Sequence, residues 1–187
     1  LGSTGAGAPA VFALDVTDPS SLGPLTPRWE IRQATESRLG HVLAPIATGQ
    51  LPNGKWVAIF GNGYRSTYDS PVPQAHLFVV EVETGVVRTL ALPKTTEANG
   101  LGGVALRRNE QGLVIGAYAG DLTGRLWRFD YSEGAASFFS VGLGEKPLFQ
   151  AATGQAIMQA PWVQLSGQTI RLAFGTGRLI TDQDANG

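Results

Sequence analysis

The sequence predicts an all-β protein, a β-propeller of four-stranded antiparallel blades, on three observations. The first is composition: 187 residues hold 25 Gly and 11 Pro but only 16% charged residues, a balance that suits turn-rich β structure. The second is a repeated apolar run that ends in a small, Gly-containing turn. Trp56–Phe60 precedes Gly61-Asn-Gly63, Leu113–Tyr118 precedes Ala119-Gly-Asp121, and Ile170–Phe174 precedes Gly175-Thr-Gly177. Phe60, Tyr118 and Phe174 are thus spaced by 58 and then 56 residues. The third is a second, interleaved series: Val11–Val16, Leu77–Val82 and Leu126–Tyr131 each carry an aromatic at the second place, an acid at the fifth and a turn after it. A multi-strand unit repeated in this way is the signature of propeller blades. An ordinary antiparallel sandwich is the alternative.

The strands follow in order. Residues 11–31 supply the last two strands of one blade, 42–92 a whole blade, 103–141 another, and 155–180 the first two strands of the next. Within the 42–92 unit the strands are expected at Val42–Ala47, Lys55–Phe60, His76–Val82 and Val86–Leu92. No segment has helical periodicity long enough to compete. The Gly-x-Gly turns are expected where chains crowd the propeller axis, because Gly tolerates positive φ and close backbone approach. About three blades fit into residues 1–187, whereas closed propellers have typically 4–8, so the chain is expected to be a slice of a longer propeller.

Charge and residue usage exclude several functions. Fourteen basic against fifteen acidic residues leave a net charge of −1, no footprint for nucleic acid, and no polybasic membrane patch, since Arg107-Arg108 is the only neighbouring basic pair. Without Cys there is no thiol catalysis, disulfide or Cys-ligated zinc. Two His, His41 and His76, are too few for a His-rich metal site, and both are read as surface or edge residues. No apolar run approaches the roughly 20 residues that span a bilayer. The first residues lack the pattern of a signal peptide, so a signal for export would have been removed or lie upstream.

Catalytic signatures fail on inspection. Gly49 to Lys55 has the spacing of a phosphate-binding loop, but Trp56 replaces the Ser or Thr that holds magnesium and a β run follows. Gly5 to Ala10 precedes a strand rather than opening a helix, and no Gly-x-Ser-x-Gly elbow is present. Asp15, Glu81 and Asp130 recur at one place in each blade, which argues for a structural role bonding backbone at the following turn. Asp121 stands where the other units have Gly63 and Gly177. It is the candidate for a residue facing the axial funnel, against a plain turn acid bonding local N–H groups. Trp29, Trp56, Trp127 and Trp162 are expected to pack between sheets.

One loop stands out by length. Phe60 and Phe78 are 18 residues apart, whereas their counterparts Tyr118 and Trp127 are 9 apart. The added segment begins Arg65, Ser66, Thr67, Tyr68, Asp69, Ser70 and is polar and stiffened by Pro71 and Pro73. Long ordered loops on a rigid scaffold often carry binding, so this is the preferred contact surface, and deleting Ser66–Pro73 is expected to leave the fold intact. A calcium pattern, Asp182-x-Asp184-x-Asn186-Gly187, matches the first half of a calcium loop, but the sequence stops before the bidentate acid that such a loop needs.

The runs Val11-Phe-Ala-Leu-Asp-Val-Thr-Asp-Pro19, Gly54-Lys-Trp-Val-Ala-Ile-Phe-Gly-Asn-Gly-Tyr64, Tyr118-Ala-Gly-Asp-Leu-Thr-Gly-Arg-Leu-Trp-Arg-Phe-Asp130 and Phe174-Gly-Thr-Gly-Arg178 resemble the C-terminal propeller of the PilY/PilC type IV pilus tip-associated adhesins, over most of the chain and in the family's order. The resemblance implies a quinoprotein-like propeller without enzymatic activity in a secreted protein at the pilus tip or outer-membrane surface. It further implies roles in pilus assembly, retraction control, attachment and twitching motility, with pilins or minor pilins and host or abiotic surfaces as partners. The family's calcium loop falls on Ala105–Gly112, where Asn109 and Glu110 replace its acids beside two arginines. No cofactor is expected there, and Asn109–Gly112 reads as a hairpin turn. Two alternatives stay open: a pyrroloquinoline-quinone dehydrogenase fragment, suggested by Ala13-Leu-Asp15 to Trp29, and an unrelated extracellular scaffold.

Overall fold

The structure, a computed structural model, describes residues 1–3, 7–18, 20, 27–167 and 169–178. Each sheet is a run of neighbouring antiparallel strands. β1 (Gly2–Ser3), β2 (Ala10–Leu14) and β3 (Pro27–Arg32) form the first sheet. β4 (Ala47–Gln50), β5 (Trp56–Gly61), β6 (His76–Glu81) and β7 (Val87–Ala91) form a complete four-stranded blade in sequence order. The next is β8 (Leu101–Arg108), β9 (Val114–Asp121), β10 (Arg125–Tyr131) and β11 (Phe139–Val141), with the short β12 (Phe149–Gln150) also pairing with β10. β13 (Trp162–Ser166) and β14 (Thr169–Ala173) form a hairpin.

The alternation of side chains along a strand explains why the central strands read as unbroken apolar runs. Val57 and Ile59 on β5, with Leu77 and Val79 on β6, face the following blade and pack with Leu101, Val114, Ala117, Trp127 and Phe129. Their neighbours Ala58, Phe60, Phe78 and Val80 face the other way and pack with Val11, Ile31, Leu39 and Val42. The blade is a layer between two cores, so neither face of β5 or β6 has room for a polar stripe.

Three elements differ from expectation. The first strand of the 42–92 unit is Ala47–Gln50, not Val42–Ala47, because the lead-in spends its hydrogen bonds elsewhere: His41 N donates to Tyr64 O at 2.7 Å and Tyr64 N returns to His41 O at 3.3 Å, and Pro45 has no N–H to add to a ladder. The first sheet gains a third strand, with Gly2 opposite Phe12 and Ser3 opposite Val11. Of the four tryptophans only Trp127 is a buried core residue. Trp56 is 58% and Trp162 60% exposed, each at the outer start of its strand, and Trp29 is half-buried with Nε1 donating to Val82 O at 2.9 Å across two sheets.

The repeated acids serve their blades through cations more than through turn backbone. Glu81 pairs with Lys55 at 2.8 Å and Arg88 at 3.2 Å, and Asp130 with Arg107 and Arg128, both at 2.9 Å. Asp15 alone of the three accepts from turn backbone, Thr17 N at 3.0 Å, and it also pairs with Arg28, whereas Glu81 takes only the Thr84 hydroxyl of its turn, at 3.4 Å. The Lys55 ammonium, and after it Arg88, hold the Glu81 carboxyl below its ordinary value of 4.5. Its folded value is therefore below its unfolded one, so its stabilisation is present above pH 4.5 and lost as pH falls through the lowered folded value. Glu81→Gln is expected to cost about 1 kcal/mol at neutral pH and to flatten the acid limb of a Tm-against-pH curve; an unchanged limb would remove Glu81 from the account.

Candidate functional site

Consecutive blades meet through backbone brought unusually close, and a buried amide holds the junction. Asn62 is fully buried. Its Oδ1 accepts from His76 N at 3.0 Å and from Leu101 N, on the next blade, at 2.9 Å. Its Nδ2 donates to Arg38 O at 3.1 Å and Gln74 O at 2.9 Å. Beside it, a methyl on Gly61 would strike the backbone oxygens of Leu101 and Gly102, and Gly63, at φ +70°, lies against the His41 carbonyl. The crowding expected of these glycines is thus between backbones: at Gly61 against the next blade, and at Gly63 against the lead-in of its own blade. A small cavity of about 150 Å³ remains where Ala44, Gly61, Gly102, Gly103 and Met158 converge, walled mostly by backbone and apolar carbon.

Asp121 does not face a funnel. It is 0% exposed and accepts five hydrogen bonds. Oδ1 takes Thr123 N at 2.9 Å, Thr123 Oγ1 at 2.8 Å and Arg125 N at 3.0 Å; Oδ2 takes Trp127 Nε1 at 2.8 Å and Asn99 Nδ2 at 3.0 Å. Every partner is a donor, so the carboxylate is saturated as a structural acceptor that caps a turn and anchors the one buried tryptophan.

The long loop is built into its blade. Gln33 Nε2 donates to Arg65 O at 2.8 Å, and Thr67 N and Tyr68 N both reach Ser37 O, at 3.0 and 2.9 Å. Gln74 fastens the far end, accepting from Thr95 N at 2.8 Å, and Asn99 N donates to Pro73 O at 2.7 Å. Ser66 is buried, whereas Arg65, Thr67, Tyr68, Asp69 and Ser70 are exposed. Removing Ser66–Pro73 would therefore open the blade beneath, and single substitutions at the exposed positions are the proper probes of this surface.

Under the loop is a pocket of about 310 Å³ that sequence reasoning did not anticipate, lined by Arg38, Tyr68, Asp69, His76, Thr89 and Lys94 among others. His76 is 4% exposed rather than an edge residue, because the loop folds over it. Tyr68 packs edge-on against its ring at 5.8 Å and 84°. Arg38 lies 5.6 Å from the Tyr68 ring centre and is held by Glu36 and by Thr89 Oγ1. Lys94 pairs with Asp69 across the mouth at 3.1 Å. Burial, followed by Arg38, pushes the His76 imidazole below its ordinary value, against the pull of its Gln74 carbonyl contact, Asp69 and Glu36. His41 is placed differently, stacked on Tyr64 at 4.9 Å.

The other candidates are plainly located. Asn109–Gly112 is a hairpin turn: Asn109 Oδ1 accepts from Gln111 N and Leu113 N, and the Arg108 guanidinium donates to Gly112 O at 3.0 Å and to Thr48 O, on the preceding blade, at 2.7 Å. Asp182, Asp184 and Asn186 lie outside the described residues. Among the described residues no cluster of three or more His, Asp or Glu is placed to hold a metal ion, and no helix is long and apolar enough to cross a membrane.

Four-stranded antiparallel blades in chain order, joined by close backbone contacts and with an ordered loop raised from one of them, define a β-propeller domain. The chain belongs to the PilY1 beta-propeller domain family, whose model matches residues 1–187. It is 36% identical, over 99% of its length, to the type IV pilus biogenesis factor PilY1 of Pseudomonas aeruginosa strain PAO1, and 35% identical, over 98%, to a PilY1 homolog of Xylella fastidiosa. It spans 18% and 14% of the length of those relatives. The crystal structure of the Pseudomonas aeruginosa PilY1 C-terminal domain superposes with a TM-score of 0.84 at 35% identity, covering 98% of this chain and 41% of that one.

Proposed function

We propose that this chain is a propeller region of a type IV pilus biogenesis factor, acting outside the cell or at the pilus by contact rather than by catalysis. The observation that carries the reading is the family match along the whole chain, together with 36% identity to a protein named for pilus biogenesis. Within it, the exposed Tyr68 and Asp69 on the 65–74 loop are the contact surface for a pilin or minor pilin, or for the host or abiotic surface to which the cell attaches. Control of retraction and twitching belongs to the same reading. The Ala105–Gly112 turn works without calcium, closed by the Asn109 side chain and the Arg108 guanidinium; calcium at Asp182, Asp184 and Asn186 is decided by calorimetric titration of the full-length protein.

The test is complementation in the native host. Deleting the full-length gene is expected to remove surface pili and twitching, and normal piliation in the deletion strain would overturn the reading. Restoring the gene with Tyr68→Ala is expected to return pili but lower attachment several-fold, while the Tm of the protein falls by no more than about 2–4 °C, as for a loss of about 1 kcal/mol. Dye-linked alcohol oxidation with added pyrroloquinoline quinone is expected to stay at background; turnover would replace contact with catalysis.

A further inference from the structure

The pocket under the 65–74 loop has a chemistry that selects its ligand. Its volume of about 310 Å³ is enough for one small molecule or one residue of a larger chain. His76 forms a buried wall, with Nδ1 at 3.2 Å from Gln74 O. A carbonyl only accepts, so Nδ1 carries the proton and the neutral ring keeps a lone pair on Nε2. No described residue donates to that nitrogen. His76 lines the pocket and Nε2 is not among the buried polar atoms left without a partner, so it is open to the pocket, where a ligand hydroxyl can take the place of water as its donor.

The charges around the pocket cancel in pairs. Arg38 is bound to Glu36, and Lys94 to Asp69. A ligand carboxylate would meet the Asp69 carboxylate and the His76 lone pair. A ligand ammonium would meet Lys94 and Arg38. A hydroxyl escapes both conflicts, because it donates to Nε2 or Asp69 and accepts from Lys94 with the same atom. Tyr68, exposed at the rim, adds an aromatic wall. We propose that this pocket binds a neutral polyhydroxyl ligand, a single sugar residue, with His76 Nε2 as the acceptor at its base. The proposal deepens, and rests on, the reading of the 65–74 loop as the contact surface.

The probes are free glucose, galactose, mannose and N-acetylglucosamine, offered to the full-length protein and read by saturation-transfer NMR and calorimetry. Saturable binding of at least one hexose is expected. It should weaken about tenfold in His76→Asn, whose amide still donates to Gln74 O but offers no distal acceptor. It should also weaken as pH falls through the folded value of His76, which burial holds below the ordinary 6.5, since a protonated Nε2 no longer accepts. Arg38 opposes that protonation while Asp69 and Glu36 favour it. If His76→Asn does not fold, Lys94→Ala at the rim decides: a loss of about fivefold supports the proposal and unchanged affinity overturns it. No saturable hexose, equal affinity in His76→Asn, or binding of free glutamate that strengthens on acidification would each overturn it. Failure of the hexoses with normal attachment defects in Tyr68→Ala removes the sugar and leaves the contact surface standing.

Discussion

Replacing Asp121 by Ala is expected to lower the Tm by about 10 °C. The change strips the acceptor from Trp127 Nε1 and Asn99 Nδ2, both buried, and from two backbone N–H groups at the β9–β10 turn. Each orphaned buried donor costs about 1–3 kcal/mol, so a loss of about 3–5 kcal/mol is reasonable, and in a chain of this size each kcal/mol moves Tm by about 2–4 °C. Asp121→Asn is expected to be nearly as damaging. Whichever way the new amide turns, its NH2 faces donors, since both carboxylate oxygens are used only as acceptors. Calorimetric unfolding of the two variants checks this. If the Asn variant melts like the parent, the carboxylate is not saturated in the way described and a funnel-facing role returns.

Gly63→Ala is expected to cost about 3 kcal/mol or more. Two penalties combine there: the left-handed φ of +70°, about 1 kcal/mol or slightly more for an L residue, and a methyl driven into the His41 carbonyl, which is backbone and cannot rotate away. Gly54→Ala isolates the first penalty. Gly54 has φ +83° in the β4–β5 hairpin turn, yet nothing lies within 4 Å of where its Cβ would stand, so a loss of only about 1 kcal/mol is expected. Chemical denaturation of the pair separates conformational strain from close approach. Equal losses would mean that the His41 lead-in does not approach Gly63 as tightly as the geometry states.

Much of this architecture is legible along the chain because blades are local. β5 and β6 are neighbours in sequence as well as in space, so the alternating apolar series and the turns between them report directly on pairing. The hairpin at Asn109–Gly112 is legible for the same reason, its side chain and backbone partners lying within four residues. The Trp56 and Trp162 positions mislead because an aromatic at a strand start looks the same whether the adjoining sheet covers it or stops short. His76 misleads because what buries it is the 65–74 loop, whose path is set by distant bonds to Gln33 and Ser37.

The candidate site divides along the same line. Its exposed part, Arg65 to Ser70, is visible as an insertion in a repeat. Its chemistry is not, because the Arg38, His76 and Lys94 side chains come from three separate stretches and meet only when the blade closes. The sequence by itself determined the β-propeller class, the two complete blades and the raised loop, since these depend on short-range periodicity and turn residues. Only the tertiary structure decided that Asp121 is a buried acceptor, that Asn62 joins two blades and that the loop roofs a pocket. Those facts depend on which donors and acceptors far apart in the chain are brought within about 3 Å of each other, and no local pattern encodes that distance.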